Sequence, residues 1–129
     1  MILLDTHVIV WLALEPSRLS PAAVRAIKTA RRASGLTMSS VSLFEIAQLI
    51  ERGRIRLNIS CESFLNDNVR RIALRHVGVS IALAAAQLPD PYPKDPMDRL
   101  IGATALVEGI PLVTADERIR QSGQIQTIW

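Results

Sequence analysis

The feature that most constrains the fold is a short apolar run that stops at an acidic residue. Ile2, Leu3 and Leu4 are apolar without interruption, which is typical of a strand buried on both faces of a parallel sheet. The apolar residues at positions 8–14 follow one another too closely for the every-second-residue alternation of a strand, and they predict a buried helix. Asp5 is therefore expected at the carboxyl end of a strand, the edge where open α/β sheets bind ligands. An aspartate before a helix can also be only an N-cap, so this position alone does not decide its role.

The same alternation of strand and helix continues along the chain. Strands are predicted near residues 2–4, 36–38, 77–79 and 111–114, with 125–129 as a possible edge strand. Helices are predicted between them, including one to about Arg32, one over residues 60–75 and one over residues 80–88. This order predicts an α/β fold of three α/β/α layers around a central, mostly parallel sheet. We expect one domain spanning residues 1–129.

The composition excludes several classes of protein. With 49% hydrophobic and 21% charged residues, the chain is expected to be globular, and no apolar stretch reaches membrane-spanning length. Cys61 is the only cysteine, so no internal disulfide can form. The N-terminus also lacks the basic segment and cleavage site of a signal peptide, and together these features favour the cytoplasm.

The basic residues favour a phosphate-rich partner. The formal net charge is +3, and arginines and lysines occur in groups at residues 25–32, 52–56 and 70–75. Such groups also occur on ordinary solvated helices, and a charge of +3 does not distinguish the two. Aromatic residues make up only 4%, so a nucleic acid would be held mainly through its backbone.

Acidic residues recur where predicted strands give way to helices. Asp5, Glu45 and Asp116 follow strands, and Asp98 lies in the first turn of a late helix that opens with Asp95 and Pro96. Glu45 and Asp95 have alternative structural roles, because Ser42 to Glu45 matches a capping box and Asp95 is a good N-cap. Asp98 is less easily explained in this way, since Asp95 already supplies the cap. If the four acids converge, their repulsion is most simply relieved by a divalent cation. Oxygen ligands without a cysteine and histidine set indicate Mg²⁺ or Mn²⁺ rather than zinc.

Four segments together resemble a known family. They are ILLDTHVIVWL at the start, SSVSLFEIAQLIERGRI in the middle, DPMDRLIGATA late in the chain and LVTADERI near its end. In this order and spacing they resemble PIN-domain ribonucleases, and within that family the VapC-type toxins of bacterial toxin–antitoxin pairs. The resemblance implies a PIN domain that cleaves RNA with Mg²⁺ or Mn²⁺.

The resemblance also implies roles for individual residues and for partners. Its acidic positions map onto Asp5, Glu45, Asp98 and Asp116, which would hold the metal that activates water for hydrolysis of the phosphodiester bond. The supporting residues are Thr6, Thr114 and Asp95. The partners implied are an RNA substrate, a cognate antitoxin protein and a second copy of the chain. The apolar first helix, with Trp11 and Leu12, is predicted to leave some apolar surface for such an interface.

Other functions remain to be weighed against this one. A receiver-type domain would need an acceptor aspartate after a middle strand, and the second strand supplies none. A P-loop enzyme is excluded because the G-x-x-x-x-G-K-[ST] motif is missing. The remaining alternative is a PIN-like module that binds RNA or protein without cleaving.

Overall fold

The computed structural model describes residues 1–129 and is built around a five-stranded sheet in which every strand pair is parallel. The strand order is β3-β2-β1-β4-β5. The strands are β1 Ile2–Leu4, β2 Leu36–Ser39, β3 Ala73–Arg75, β4 Leu112–Val113 and β5 Thr127–Ile128. The predicted α/β class with a parallel sheet is confirmed.

Seven α-helices cover the sheet. They are α1 Thr6–Leu14, α2 Pro21–Arg32, α3 Val41–Glu51, α4 Cys61–Arg71, α5 Val79–Gln87, α6 Pro96–Glu108 and α7 Glu117–Ser122, with a short 3₁₀ turn at Pro16–Arg18. Local sequence sets several of their ends. Ser20 accepts a hydrogen bond from the Ala23 N–H and caps α2, and Gly109, at φ 64°, ends α6 in the left-handed conformation that glycine tolerates.

The three central strands, β1, β2 and β4, are buried, and the sheet divides the core into two halves. Ile2 and Leu4 of β1 pack with α1, α2, α3 and α4, in a cluster that includes Val8, Ile27 and Phe64. Leu3 points to the opposite face and packs with α5, α6 and α7, in a cluster that includes Ile81, Ile101 and Ile119. This alternation along β1 produces the three-layer arrangement.

The third strand differs from the sequence-based expectation. The strand predicted at residues 77–79 is wrong, because β3 is Ala73–Arg75 and Val79 begins α5. The preceding helix, predicted to reach about residue 75, ends at Arg71, and Ile72 is extended and buried. The reason is tertiary: residues 73–75 pair with Thr37, Met38 and Ser39, and this pairing overrides a helical pattern that would otherwise continue.

The first helix is buried over its first turns and leaves apolar surface at its C-terminal end, where Leu14 is exposed. Val8, Ile9 and Val10 are buried, and Trp11 and Leu12 are half-buried against the same core. Side chains that are still more exposed lie at Phe44 on α3 and at Val79 and Leu83 on α5. None of the helices has both the length and the apolar character needed to cross a membrane.

Candidate active site

The chain order places a switch point at the carboxyl ends of β1 and β4. From β1 the chain builds outward through β2 and β3, and it then returns to the other side of β1 with β4. In open α/β sheets a crevice forms where the strand order reverses in this way. Asp5 follows β1 and Thr114 follows β4, so both residues lie at this crevice.

Asp5 is buried and held through both carboxylate oxygens. Its Oδ1 accepts a hydrogen bond from the Thr6 N–H at 2.8 Å, and its Oδ2 accepts one from the Thr114 hydroxyl at 2.7 Å. The Thr114 hydroxyl also accepts a hydrogen bond from the Asp116 N–H at 3.1 Å. Thr114 therefore links the acid after β1 to the backbone of the acid that precedes α7.

Glu45 is connected to the same group by a second threonine. The Thr6 hydroxyl donates to Glu45 Oε1 and lies 2.9 Å from the Ser42 hydroxyl. Thr6 has one hydroxyl proton and donates it to Glu45. The Ser42 hydroxyl is therefore the donor in the hydrogen bond between Ser42 and Thr6. The capping-box interpretation of Ser42 and Glu45 is therefore wrong: α3 begins at Val41, and both side chains point toward Thr6 instead of the helix terminus.

Asp98 carries the clearest electrostatic perturbation. Its pKa is raised to about 7 from the ordinary value of 3.8, chiefly by burial and then by the charges of Asp5, Asp95, Asp116 and Glu45, in that order. The pKa of Glu45 is also raised, mainly by burial and also by Asp5 and Asp95, against the lowering effect of the Thr6 hydrogen bond. The structure thus brings all four predicted acids into one electrostatically coupled group.

The backbone of Asp98 is fixed by the proline loop, residues 88–95, which joins α5 to α6. The buried Tyr92 hydroxyl donates to the Asp98 carbonyl at 2.6 Å, and burial together with the nearby acids raises the Tyr92 pKa well above its ordinary range. Arg99 donates to the carbonyls of Ala85 at 3.0 Å and Leu88 at 2.6 Å, which ties α6 to the end of α5. The role of Tyr92 was not predicted from the sequence, although the prolines around it, Pro89, Pro91, Pro93 and Pro96, mark a rigid loop.

Asp95 and Asp116 both cap helices, and the capping role predicted for Asp95 is confirmed. Asp95 accepts a hydrogen bond from the Met97 N–H at 3.0 Å, as expected for an N-cap followed by proline. Asp116 Oδ1 accepts from the N–H groups of Arg118 and Ile119 at 2.9 and 3.3 Å. Its Oδ2 accepts neither of these capping hydrogen bonds, so only one of the two carboxylate oxygens of Asp116 is used in capping.

Two further residues at the crevice have contacts that the sequence did not reveal. His7 Nε2 accepts a hydrogen bond from the Ala115 N–H at 3.0 Å, and its Nδ1 lies 3.6 Å from Asp5 Oδ2. In the neutral ring the proton is therefore on Nδ1, facing Asp5. Arg118 places its guanidinium 3.8 Å from Asp116 Oδ2 and 4.0 Å from Asp98 Oδ2. The only available sequence clue to Arg118 was its position two residues after the last acid.

The donor set fits Mg²⁺ or Mn²⁺ better than zinc. The acids offer only oxygen ligands, and no three acidic, histidine or cysteine side chains are close enough to enclose a metal ion by themselves. Structural zinc sites need four protein ligands, but Mg²⁺ keeps several waters and uses one or two carboxylates plus substrate phosphates. After burial, the charges of the neighbouring acids are what raise the pKa of Asp98, and a bound cation would offset that repulsion.

Comparison with known proteins agrees with the segments found in the sequence. The model of the PIN domain family matches residues 2–124. The chain belongs to the PIN domain family. It is 41% identical to Ribonuclease VapC22 of Mycobacterium tuberculosis over 130 residues, covering 99% of this chain and 98% of that protein. The resemblance to VapC-type PIN domains inferred from the four segments is confirmed.

Solved structures show the same PIN fold at low sequence identity. The chain is similar to VapBC2 from Rickettsia felis bound to a promoter DNA fragment, with a TM-score of 0.74, 16% identity and coverage of 98% and 97% of the two chains. It is also similar to a toxin–antitoxin complex from Klebsiella pneumoniae, with a TM-score of 0.64, 17% identity and coverage of 90% and 87%. At these identities the likeness establishes the PIN fold.

Proposed function

We propose that this PIN-domain protein is an endoribonuclease that acts as the toxin of a toxin–antitoxin pair. Its full-length similarity to a VapC ribonuclease supports hydrolysis of RNA phosphodiester bonds. The observation that carries the proposal is the coupling of Asp5, Glu45, Asp98 and Asp116 at the switch point of the sheet. Acids in such a crevice suit phosphoryl chemistry assisted by a divalent cation.

We assign the cofactor as Mg²⁺ or Mn²⁺. Asp5 and Asp98 would hold the principal ion, and Glu45 and Asp116 would complete its surroundings directly or through water. Such an ion activates water for attack and offsets negative charge on the phosphoryl group. Because the pKa of Asp98 is raised to about 7, its carboxyl is partly protonated near neutral pH without a cation, so loading the site should release a proton.

The surrounding residues orient the acids. Thr114 and the Thr6 N–H fix both oxygens of Asp5, and the Thr6 hydroxyl fixes one oxygen of Glu45. Tyr92 fixes the backbone from which Asp98 projects. These hydrogen bonds limit rotation of the carboxylates before substrate arrives, and preorganisation of this kind lowers the barrier to reaction.

The test is cleavage of single-stranded RNA by purified protein with and without Mg²⁺ or Mn²⁺. Asp98→Asn removes the charge with little change of shape and should abolish cleavage while the fold persists. Asp67→Asn is the matched control, because Asp67 is an α4 residue paired with the exposed Arg70. If Asp98→Asn cleaves RNA at the rate of Asp67→Asn, the role given to Asp98 is wrong.

We further propose an antitoxin partner and a homodimer. A groove of about 290 Å³ lies between the end of α1 and α4, and its apolar lining residues are Leu12, Ala13, Leu14, Ile59 and Phe64. This groove has the character expected of a surface that receives an apolar antitoxin segment. Val79 and Leu83 lie one turn apart on α5 and are 78% and 56% exposed, which suits a contact with a second copy. Light scattering, alone and after co-expression with the neighbouring gene, tests both contacts.

The alternative of a non-cleaving PIN-like binding module predicts a different result. Such a module would bind RNA or protein with no turnover under any metal condition. All four positions that correspond to the acidic residues of PIN-domain ribonucleases carry Asp or Glu in this chain, which favours cleavage. An RNA substrate and a single cysteine both suit action in the cytoplasm, which we propose as its location.

A further inference from the structure

We propose that a groove beside the acids binds an RNA phosphate flanking the cleaved bond, and that Arg118 is the residue that contacts it. This inference rests on the proposed ribonuclease function. It assigns a substrate subsite to residues that lie outside the four acids. The groove, the position of Arg118 and its unsatisfied hydrogen-bonding capacity carry the argument.

The groove lies between the proline loop and α7. It has a volume of about 320 Å³ and is lined by Pro91, Pro93, Arg118, Gln121 and Ser122. Its two walls are the elements that position the acids, since the loop fixes Asp98 through Tyr92 and α7 is capped by Asp116. A strand of RNA whose cleaved bond lies at the acids can therefore continue directly into this groove.

Arg118 stands where the groove meets the acids. It lies within 4.0 Å of Asp98 Oδ2 and Asp116 Oδ2, and no other arginine or lysine is that close to any of the four acids. Both separations exceed hydrogen-bond length, and the side chain is 72% exposed. The guanidinium is therefore attracted to this place by charge while its N–H donors remain available to a ligand.

The chemistry of the groove favours a phosphodiester over other ligands. Guanidinium offers a fork of N–H donors that matches phosphate oxygens, and the charge-assisted hydrogen bonds formed are strong. Gln121 can donate an additional hydrogen bond, and the proline rings provide apolar surface for a sugar or base edge. The competing interpretation is that Arg118 only offsets repulsion between Asp98 and Asp116 and never touches substrate.

Arg120 provides a matched control for Arg118. It belongs to the same short helix and carries the same charge, but it lines a different cavity with Glu117, Gln121 and Thr127. Arg118→Gln and Arg120→Gln therefore make the same change in net charge. Both are compared in a Glu45→Gln background, which should block cleavage and does not alter Asp98 or Asp116, the residues beside Arg118. The probe is a fluorescent pool of short single-stranded RNA of mixed sequence, titrated over a range of salt concentrations.

We expect Arg118→Gln to weaken RNA binding by roughly tenfold relative to Arg120→Gln, as for loss of one charge-assisted hydrogen-bonded contact. The slope of log Kd against log salt should also fall by about 0.7, the value for one phosphate contact on a single strand. Arg118→Lys should recover part of the affinity. Equal affinities and slopes for the Arg118→Gln and Arg120→Gln proteins would overturn the subsite.

A second pair of variants tests the groove without altering Arg118. Gln121→Glu places a negative charge in the groove and should weaken RNA binding. Gln124 lines another cavity, beside Gly109 and Ile125, so Gln124→Glu should weaken RNA binding less. Equal effects of the two changes would mean that RNA does not enter this groove and that Arg118 only offsets the repulsion between Asp98 and Asp116. Wild-type protein that neither binds nor cleaves RNA overturns the proposed function itself, while active wild type with indistinguishable variants removes only the subsite.

Discussion

Thr114 donates a hydrogen bond to Asp5 Oδ2 at 2.7 Å, joining two buried residues that lie 109 positions apart in the chain. The same hydroxyl accepts from the Asp116 N–H, so one side chain connects the ends of β1 and β4 to the start of α7. This connection places the two acids at a defined separation before any ligand binds. Its strength can be measured by removing the hydroxyl.

Thr114→Val removes the hydroxyl with little change of shape. The variant leaves an Asp5 oxygen and the Asp116 N–H without their partner, which should cost roughly 1–3 kcal/mol of stability. RNA cleavage should fall by about 10–100-fold, as is typical when a residue that orients a metal-binding group is lost. Urea denaturation and initial cleavage rates measure the two effects. Thr114→Ser keeps the hydroxyl and should retain most of the stability and most of the cleavage rate. Equal losses in the Val and Ser variants would contradict the role given to the Thr114 hydroxyl.

The raised pKa of Asp98 makes the stability of the metal-free protein depend on pH. Because its folded pKa of about 7 exceeds the ordinary value of 3.8, the stability tied to this group is fully present below the unfolded pKa. That stability is lost as pH rises toward and through the folded pKa. Asp98→Asn avoids the loss and should be more stable than wild type by roughly 1–2 kcal/mol at about pH 8, after allowance for solvent screening. Chemical denaturation from about pH 4 to about pH 8 tests this, and a difference that does not grow with pH would contradict it.

Adding a divalent cation should relieve the same repulsion. Mg²⁺ or Mn²⁺ should raise the melting temperature of wild type, and a concentration about 100-fold above Kd corresponds to about 2.7 kcal/mol. Chelation should return it to the starting value. Asp5→Asn should respond much less, because it removes a charge from the centre of the group. A wild-type protein whose thermal shift is flat across a metal titration would count against the assigned cofactor.

His7 makes two contacts that can be separated by substitution. Gln can place an oxygen near the position of Nε2 and accept from the Ala115 N–H, whereas Asn is too short and reaches only the position of Nδ1. We expect His7→Asn to be less stable than His7→Gln by about 1 kcal/mol, the usual net value of one hydrogen bond. Thermal denaturation and exchange of the Ala115 amide hydrogen report the difference. Faster exchange in the Gln variant than in the Asn variant would reverse this assignment.

Gly102 allows Tyr92 to lie against α6. A Cβ at Gly102 would lie 2.6 Å from Tyr92 Cζ and closer still to its hydroxyl, so Gly102→Ala must displace the ring and its bond to the Asp98 carbonyl. Despite the better helix propensity of alanine, we expect a loss of about 1–3 kcal/mol and reduced cleavage. Gly78→Ala is the control, because its Cβ would meet nothing within 4 Å. Similar stability of the two variants would contradict the packing argument.

The sequence by itself was sufficient for the fold class and for the main candidate acids. The apolar runs before Asp5 and Asp116, the N-cap serine and N1 proline at Ser20 and Pro21, and glycine at position 109 are local features with local physical consequences. The four segments in register also led to the PIN family, which the comparisons confirm. Roles for the individual acids remain predictions that the variants above can test.

Tertiary structure decided what local pattern left ambiguous. Residues 73–75 form a strand because they pair with the free edge of β2. Ser42 does not cap α3, because the helix begins one residue before it, and its hydroxyl is hydrogen-bonded to Thr6 instead. The contacts of His7 with Ala115 and of Arg118 with Asp98 join distant parts of the chain. Local propensity reflects neighbours within a few residues, whereas these contacts depend on which strand ends the parallel sheet brings together. The sequence alone therefore indicated which acids to consider, and folding determined which side chains orient them.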